Sequence, residues 1–313
     1  MPPRSAPSVV VLAGGTGGAK LARGMLDVVG ADGSGSLTVV ANTGDDVEIH
    51  GAHVSPDPDL CLFWLADRID ERGWGLRDDT FAVMDGLRAL GVEVWFNLGD
   101  RDLAIGLRRA EQLRDGARLT ETLLDLAGAL GVGARVLPMT DAAVRTWVRA
   151  RGAWRPFQEF MIVDRAAGPI EGVELRGVEA SAPPPEALEA IAAADAIVIG
   201  PSNPIVSIGP ILAVPGMREA LRAASAPVVA VSPIVAGAVV KGPTEPFMAW
   251  AGLPLTAAGV AAHYGDVLDG VVADEEMTPP PTLPTLRTDT LMADAPGRER
   301  VARAALELAL SLR

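Results

Sequence analysis

Cysteine, lysine and long apolar runs are nearly absent from this chain of 313 residues. The single cysteine, Cys61, excludes a disulfide within the chain. No run of about 20 apolar residues is present, so the sequence predicts no membrane-spanning helix. The apolar run before the first glycines is too short for a signal peptide. We therefore expect a soluble, cytoplasmic protein that contacts no membrane.

Only two of the 27 basic residues are lysines, and the formal net charge is −13. This charge disfavours binding to nucleic acid or to an anionic membrane, and a phosphate substrate would need a local cation or metal. Both lysines, Lys20 and Lys241, lie beside glycines, and the compact charge of lysine suits phosphate. Codon bias is an alternative reason for the excess of arginine, and a solvated side chain is the alternative for Lys241.

Short apolar runs rich in β-branched residues alternate with helical patterns. The runs are Val9–Leu12, Leu37–Ala41, Val92–Phe96, Ala196–Ile199 and Val228–Val231. Because they are almost continuously apolar, they indicate strands buried on both faces of a parallel sheet. The helical patterns are Ala19–Val29, Leu60–Ile69, Phe81–Leu90, Thr120–Leu130, Pro185–Ala193 and Met217–Ala223. The alternation predicts an α/β fold, a Rossmann-like doubly wound parallel sheet.

Two segments interrupt this alternation, and they suggest a division of the chain. We predict a Rossmann-like core from 1–60, 90–100 and 181–275, a mostly helical insertion at 61–139 and a small antiparallel β insertion at 140–180. The strands of the β insertion are expected at 143–150, 158–164 and 170–175. The remainder, 276–313, is predicted to be a connector and a C-terminal helix, with the proline-rich stretch Met277–Pro284 as the connector and Glu299–Arg313 as the amphipathic helix.

Negative charge is concentrated in the stretch Asn42–Asp59. It holds five carboxylates and two of the three histidines, and no cation occurs between Arg23 and Arg68. Unpaired carboxylates repel one another, and a divalent metal with oxygen ligands would neutralise them. A solvated surface loop is the alternative.

Asp45 and Asp57 are the candidate metal ligands, and Asp46 is a further candidate catalytic carboxylate. An ordinary turn also explains Asp45 and Asp46. For Asp57 the alternative is a helix N-cap followed by proline at the first helical position. His50 and His53 are possible ligands, although a hydrogen-bonded loop histidine is the simpler interpretation.

A glycine-rich turn follows the first predicted strand and opens a helix. Backbone amides in such a turn approach phosphate closely, and the helix N-terminus favours the anion. The turn matches neither a Walker A sequence nor the dinucleotide fingerprint, and a tight turn that requires glycine is the alternative. The candidate phosphate-binding residues are Gly14, Gly15, Thr16, Gly17, Gly18 and Lys20.

Polar residues follow two later strands as well. Ser202 and Asn203 come after the strand that ends at Ile199, where they suit either a ligand or a capped turn, and Lys241 lies in the segment after Val231. Since ligands bind at the carboxyl edge of open α/β sheets, we expect these segments to meet there. We expect His263 and the six tryptophans to be structural, and Asp100–Asp102 to form a surface ion pair.

Together these motifs resemble the 2-phospho-L-lactate transferase / phosphoenolpyruvate transferase family of coenzyme F-420 biosynthesis. The matching pieces span most of the chain in order: GGTGGAKL at 14–21, NTGDD at 42–46, SPDPD at 55–59, GDRDLA at 99–104, GPSNP at 200–204 and SPIVAGAVVKGP at 232–243. The sequence departs from the family pattern at Thr244–Glu245, where Ala-Asp is expected.

The resemblance implies an Mg²⁺-dependent phosphotransferase. A guanosine diphosphate-linked donor carries 2-phospho-L-lactate or phosphoenolpyruvate, the ribityl hydroxyl of the deazaflavin Fo attacks, and GMP leaves. Mg²⁺ on Asp45 and Asp57 would stabilise the transfer, and Asp46 would take the hydroxyl proton. The glycine turn and Lys20 would hold phosphate, with Ser202, Asn203 and Lys241 completing the donor pocket. A high-GC composition favours the phosphoenolpyruvyl donor, and the family suggests a homodimer.

Two other functions are compatible with parts of the sequence. A nucleotide-sugar-binding regulatory protein of the same superfamily would need no catalytic metal, so the acidic stretch argues against it. A nicotinamide-dependent dehydrogenase would need the full glycine fingerprint and an acidic residue at the end of the second strand. Ala41 and Asn42 occupy that position here.

Overall fold

A seven-stranded parallel sheet forms the centre of the molecule. We describe residues 6–30, 35–277 and 282–313 of a computed structural model. The strands are β1 Ser8–Ala13, β2 Ser36–Ala41, β3 Val47–Ile49, β4 Ala52–Val54, β5 Arg135–Pro138, β6 Arg145–Ala150, β7 Ala153–Pro156, β8 Ile170–Arg176, β9 Ala196–Ile199, β10 Val228–Val231, β11 Ile234–Val235, β12 Ala238–Val239, β13 Gly270–Ala273 and β14 Thr285–Arg287. The sheet order is β14-β13-β10-β9-β1-β2-β5.

Helices cover both faces of this sheet. They are α1 Gly15–Gly30, α2 Pro56–Leu65, α3 Ala82–Ala89, α4 Asp100–Arg114, α5 Leu119–Leu130, α6 Phe157–Ile162, α7 Pro185–Ala192, α8 Gly209–Ala213, α9 Met217–Ala223, α10 Thr244–Trp250, α11 Ala257–Tyr264 and α12 Ala295–Ser311. One apolar core lies between the sheet and α1, α2, α5 and α12, and a second lies on the face covered by α7, α8, α9 and α11. Along β1, Val9 and Val11 enter the first core while Val10 and Leu12 enter the second. The predicted doubly wound α/β fold is therefore confirmed.

The strand order reverses between β1 and β9. From β1 the chain proceeds to β2 and β5 on one side, whereas β9 lies on the other side of β1 and leads to β10, β13 and β14. β1 and β9 pair in register, with Leu12 opposite Ile199. A crevice forms where the two following loops separate, which is the usual ligand position in open parallel sheets.

Several predicted strands differ from the observed ones. Val92–Phe96 is not a strand, since it forms irregular backbone in which Trp95 stacks on Phe96 with ring centres 5.5 Å apart. The segment 158–164 was expected as a strand but lies largely in helix α6, because a short apolar run fits either periodicity. The strands expected at 143–150 and 170–175 are present as β6 and β8, which pair antiparallel with each other and, through β6, with β7.

Two strands of the core sheet come from segments that were predicted to lie outside the core. β5 comes from the predicted helical insertion, β14 comes from the predicted connector region, and 90–100 contributes no strand. Each of these edge strands contains an arginine in its three or four residues, which interrupts the apolar pattern of a buried strand. The central part of the predicted proline-rich connector, 278–281, lies outside the described residues. The predicted C-terminal helix is present as α12.

The described helices were also compared with the length and apolarity that a bilayer crossing requires. None of those in 6–30, 35–277 and 282–313 meets both requirements.

Candidate functional site

A cavity of about 870 Å³ opens at the carboxyl edge of the sheet, over the crevice between β1 and β9. Four loops that follow core strands line it, as does the helical insertion. The predicted site residues in its wall are Gly14, Gly15, Thr16, Gly17, Lys20, Asp45, Asp57, Ser202, Asn203 and Lys241. Gly18 and Asp46 are the two predicted site residues that do not line it.

The glycine turn packs directly against the loop after β9. A Cβ atom on Gly17 would lie 2.1 Å from the carbonyl oxygen of Pro201, and one on Gly18 would lie 2.7 Å from Ser202 Oγ. The amide of Gly14 donates to Ser202 Oγ at 3.1 Å and that of Gly15 donates to Asp57 Oδ1 at 2.6 Å. Two amides that were expected to hold phosphate are thus occupied, and those of Thr16 and Gly17 at the start of α1 have no acceptor within the helix.

Asp45 and Asp57 share one hydrogen-bond donor. The side-chain amide of Asn42 donates to Asp45 Oδ1 at 3.2 Å and to Asp57 Oδ2 at 2.9 Å. Its orientation is fixed because its own oxygen accepts from the amide of Gly44 at 2.8 Å. Asp57 is not an N-cap as the alternative interpretation held, because α2 begins one residue earlier at Pro56. The carboxylate instead ties α2 to the glycine turn.

Burial dominates the electrostatics of this pair. Asp45 is 6% exposed and Asp57 is 4% exposed. Burial and the charge of Asp57 raise the pKa of Asp45 well above its ordinary value, despite the hydrogen bond from Asn42. Burial also raises the pKa of Asp57 to about 6, against the hydrogen bonds from Asn42 and Gly15. Neutral amides donate to both carboxylates, and within the described ranges no arginine or lysine pairs with either one.

These properties fit a divalent cation. Two acceptor oxygens in a buried, uncompensated anionic site are what Mg²⁺ takes from a protein, with water and substrate phosphate completing its shell. In the described part of the chain, no group of three or more His, Cys, Asp or Glu side chains converges on one metal position. A metal here would therefore rely on the two aspartates together with substrate or water.

Asp46 faces away from the cavity. Its carboxylate accepts from Ser55 Oγ at 2.7 Å and lies 2.9 Å from His53 Nε2, while His53 Nδ1 lies 3.3 Å from Glu48. Asp46 therefore does not line the cavity and is already hydrogen-bonded, which does not favour the role expected for it as proton acceptor. His53 is the hydrogen-bonded loop histidine that the simpler interpretation described. The contacts among Asp46, Ser55 and His53 fix the loop that carries Asp45.

A second acidic group, which the sequence analysis did not identify, lies in the helical insertion. Asp102 lines the cavity, and its carboxylate accepts no hydrogen bond from the described residues. Burial raises its pKa to about 7, and Asp59 and Asp79 add repulsion that Arg109 partly offsets. The predicted surface ion pair at 100–102 is wrong, because Asp100 caps α3 by accepting from Thr80 and from the amides of Ala82 and Val83.

Asp59 and Arg109 form a buried ion pair that joins α2 to α4. Arg109 is fully buried, its guanidinium contacts both carboxylate oxygens of Asp59, and it donates to the carbonyl of His53 at 2.8 Å. The pair anchors the insertion beneath the cavity.

Ser202 and Asn203 form the capped turn that was one of the two roles left open by the sequence, and both line the cavity. Ser202 accepts from the glycine turn, and Asn203 Oδ1 accepts from the amides of Ile205 and Val206, which caps the helical turn Pro204–Ile208. The side-chain nitrogen of Asn203 is buried and has no hydrogen-bond partner in the described structure. A capped turn is therefore present, and a donor remains available beside the cavity.

The fold and this site define an α/β protein with a cavity at the switch point of an open parallel sheet, the position at which such folds bind ligands. A model of the family named 2-phospho-L-lactate transferase CofD matches residues 9–306. The chain belongs to that family. As a member of this family it is a transferase of coenzyme F-420 biosynthesis, as the sequence motifs predicted.

Relatives carry both names that the resemblance combined. The chain is 41% identical to a 2-phospho-L-lactate transferase of Methanosarcina mazei, with 85% of this chain and 87% of that protein covered. It is also 41% identical to a phosphoenolpyruvate transferase of Streptomyces griseus, with 97% and 99% covered. A solved structure of a UPF0052 family member from Bacillus halodurans superposes with a TM-score of 0.64 at 18% identity, over 96% of this chain and 99% of that one. That last likeness concerns the fold alone.

Proposed function

We propose that this protein transfers a phosphoenolpyruvyl or 2-phospho-L-lactyl group from a guanosine diphosphate-linked donor to the deazaflavin Fo, with Mg²⁺ as cofactor. The observation that carries the proposal is the buried pair Asp45 and Asp57, which lies beside the N-terminus of α1 in a cavity of about 870 Å³. No lysine or arginine in the part of the chain that the structure describes pairs with either carboxylate. The names of the relatives support the phosphoenolpyruvyl and the 2-phospho-L-lactyl group equally.

In the proposed reaction a terminal hydroxyl of Fo attacks the distal phosphorus of the donor. A phosphorus–oxygen bond forms to Fo, the bond from that phosphorus to the oxygen of GMP breaks, and the hydroxyl proton passes to a base. Bound to Asp45 and Asp57, Mg²⁺ would neutralise charge on the diphosphate and on the departing oxygen. The amides of Thr16 and Gly17 and the helix end would hold phosphate.

We assign the proton to Asp102 rather than to Asp46. Asp102 lines the cavity, accepts no hydrogen bond from the described residues and has a pKa raised to about 7, which suits a general base at neutral pH. Asp46 is held by Ser55 and His53 and would position the loop of Asp45. The aromatic wall residues Trp74, Trp95 and Phe96 offer faces on which a deazaflavin ring would stack.

The test combines purified protein, Fo and Mg²⁺ with each of the two donors in parallel, and follows product mass and released GMP. Mg²⁺-dependent product from either donor supports the proposal and identifies the donor. Tight nucleotide binding without product from either donor would favour a nucleotide-sugar-binding regulatory protein instead. The expectations of a cytoplasmic location and a homodimer stay predictions.

A further inference from the structure

The two lysines of the chain converge at one end of the cavity. Lys20 on α1 and Lys241 after β12 both line the wall, and the positive charge of Lys241 contributes to lowering the pKa of Lys20. Lys20 Nζ donates to the carbonyl of Met292 at 3.0 Å and lies 5.6 Å from the centre of the Trp64 ring. The guanidinium of Arg298, on α12, lies 5.1 Å from the same ring. Three distant segments thus bring positive charge together.

Within 6–30, 35–277 and 282–313, the cluster of Lys20, Lys241 and Arg298 has no anionic partner. Among the residues that the structure describes, none of the three forms an ion pair, although many arginines on the surface do. Burial, Arg298 and Lys241 all lower the pKa of Lys20, and no carboxylate raises it. Arg298 Nε is buried without a hydrogen-bond partner. In a protein of net charge −13, an unpaired cationic cluster at a cavity indicates an anion that arrives from outside.

A buried hydroxyl beside the cluster strengthens this conclusion. Thr290 is only 3% exposed, lines the cavity two residues before Met292, and has an Oγ1 atom that is buried with no hydrogen-bond partner in the described structure. Buried polar atoms are almost always satisfied. A hydroxyl in a cavity wall that also holds two ammonium groups suits an oxygen anion with more than one acceptor atom.

The donor offers one anionic group that the rest of the site does not bind. In the proposed function its diphosphate is bound by Mg²⁺ on Asp45 and Asp57 and by the start of α1. Lys20 lies five residues beyond Gly15, about 7.5 Å further along the helix, and is therefore available to another group. We propose that Lys20, Lys241 and Thr290 form a subsite for the carboxylate of the three-carbon acid on the donor. This inference rests on the proposed function, and it applies to the lactyl and enolpyruvyl groups alike because both carry that carboxylate.

The test compares two ligands of similar charge by calorimetry in Mg²⁺ at pH 8. GDP and the 2-phospho-L-lactyl donor each carry about −3 there, but only the donor has a carboxylate. For Lys241→Met we expect donor affinity to fall about tenfold while GDP affinity stays within twofold of wild type. Thr290→Val should show the same selectivity, and Lys241→Arg should keep most of the donor affinity. Arg303→Met, which removes a charge from the exposed face of α12, should change neither.

Other outcomes would overturn the inference. An equal loss of GDP and donor affinity in Lys241→Met would make this a diphosphate site. A third titration, with Fo, covers the acceptor, and a loss of Fo affinity alone would make this an acceptor site. Unchanged donor affinity in both Lys241→Met and Thr290→Val would remove the subsite. These measurements need no turnover, so they are separable from the reaction. Wild-type protein that binds donor selectively but yields no product would contradict the proposed function and leave the subsite standing. Binding of neither ligand would overturn both.

Discussion

Asp45 is the residue on which the proposed metal site depends most. We predict that Asp45→Asn lowers Mg²⁺-dependent turnover by about 10²–10³-fold and abolishes stabilisation by Mg²⁺. The metal-free variant should unfold at a higher temperature than metal-free wild type, since the change removes repulsion from buried Asp57. Thermal unfolding with and without Mg²⁺ tests this. Exposed Asp115→Asn is the control, and a full Mg²⁺ response in Asp45→Asn would eliminate the residue as a ligand.

Asp102 should set the acidic side of the pH–rate profile. Because a general base acts in its deprotonated form and the pKa of Asp102 is raised to about 7, kcat/KM should rise with pH, reach half of its maximum near pH 7 and level about one pH unit higher. We predict that Asp102→Asn loses about 10²-fold or more in kcat and loses that dependence. Asp100→Asn, which affects the cap of α3, should retain it. A wild-type pH profile in Asp102→Asn would refute the assignment.

The same variant has a second readout in stability. The pKa of Asp102 lies near 7 in the folded protein against 3.8 as its ordinary value, so the native state binds the extra proton between these pH values. Wild-type stability should therefore fall as pH rises through this window. The Asn variant lacks this loss. Its unfolding free energy should equal that of wild type near pH 4 and exceed it above pH 7 in urea titrations.

At the scale of elements, the contact between the glycine turn and the loop after β9 admits no side chain. Gly17→Ala would place Cβ 2.1 Å from the Pro201 carbonyl oxygen and force α1 away from that loop. We predict a loss of about 1–3 kcal/mol in unfolding free energy and weaker nucleotide binding. Gly30→Ala, at the other end of α1, has open space around the added atom and should be neutral or slightly stabilising. Equal stability of the two variants in denaturant titrations would contradict this account.

The ion pair between α2 and α4 makes a comparison of adjacent arginines possible. Arg109→Leu leaves Asp59 buried without its partner and should cost about 3–5 kcal/mol of stability. Arg108→Leu removes an exposed side chain that pairs with Glu111 on the same helix and should change stability by about 0.5 kcal/mol or less. Chemical denaturation of both variants measures the difference. Similar values would show that Arg109 is not a structural tether.

Elements with an uninterrupted apolar pattern could be predicted from the sequence, and interrupted or irregular ones could not. β1, β2, β9 and β10 are almost continuously apolar because both of their faces are covered. β5 and β14 each contain an arginine and β13 begins at Gly270, and within Val92–Phe96 the aromatic residues Trp95 and Phe96 line the cavity rather than extend in a sheet.

The residues of the candidate site also divide into those that the sequence could predict and those that it could not. Residues in the loops after core strands were found because topology alone places them at one edge. Asp102 and Thr290 were missed since their positions depend on how the insertion and the segment before α12 fold over that edge. The orientation of Asp46 away from the cavity likewise follows from its hydrogen bonds to Ser55 and His53, which no spacing in the sequence reveals.

For the whole molecule, net charge should govern the approach of the donor. A protein of −13 repels a polyanion at long range, and raising ionic strength from about 10 to about 150 mM shortens the Debye length from about 30 to about 8 Å. We predict that kcat/KM for the donor rises over this range at saturating Mg²⁺. Stopped-flow or steady-state rates in KCl measure it. A falling kcat/KM would mean that the cluster of Lys20, Lys241 and Arg298 dominates the field that the donor meets.

The placement of both lysines in one cavity also gives the molecule an unusual chemical reactivity. Apart from the α-amino group, its primary amines are Lys20 and Lys241, and both line the cavity wall. The lowered pKa of Lys20 raises the fraction of its amine that is unprotonated at a given pH. Amine-directed acylating reagents, which label most proteins at many lysines, would modify this one at its α-amino group and in the cavity wall. The extent of labelling at Lys20 and Lys241, read from peptide masses, would report on occupancy of the cavity without any engineered residue.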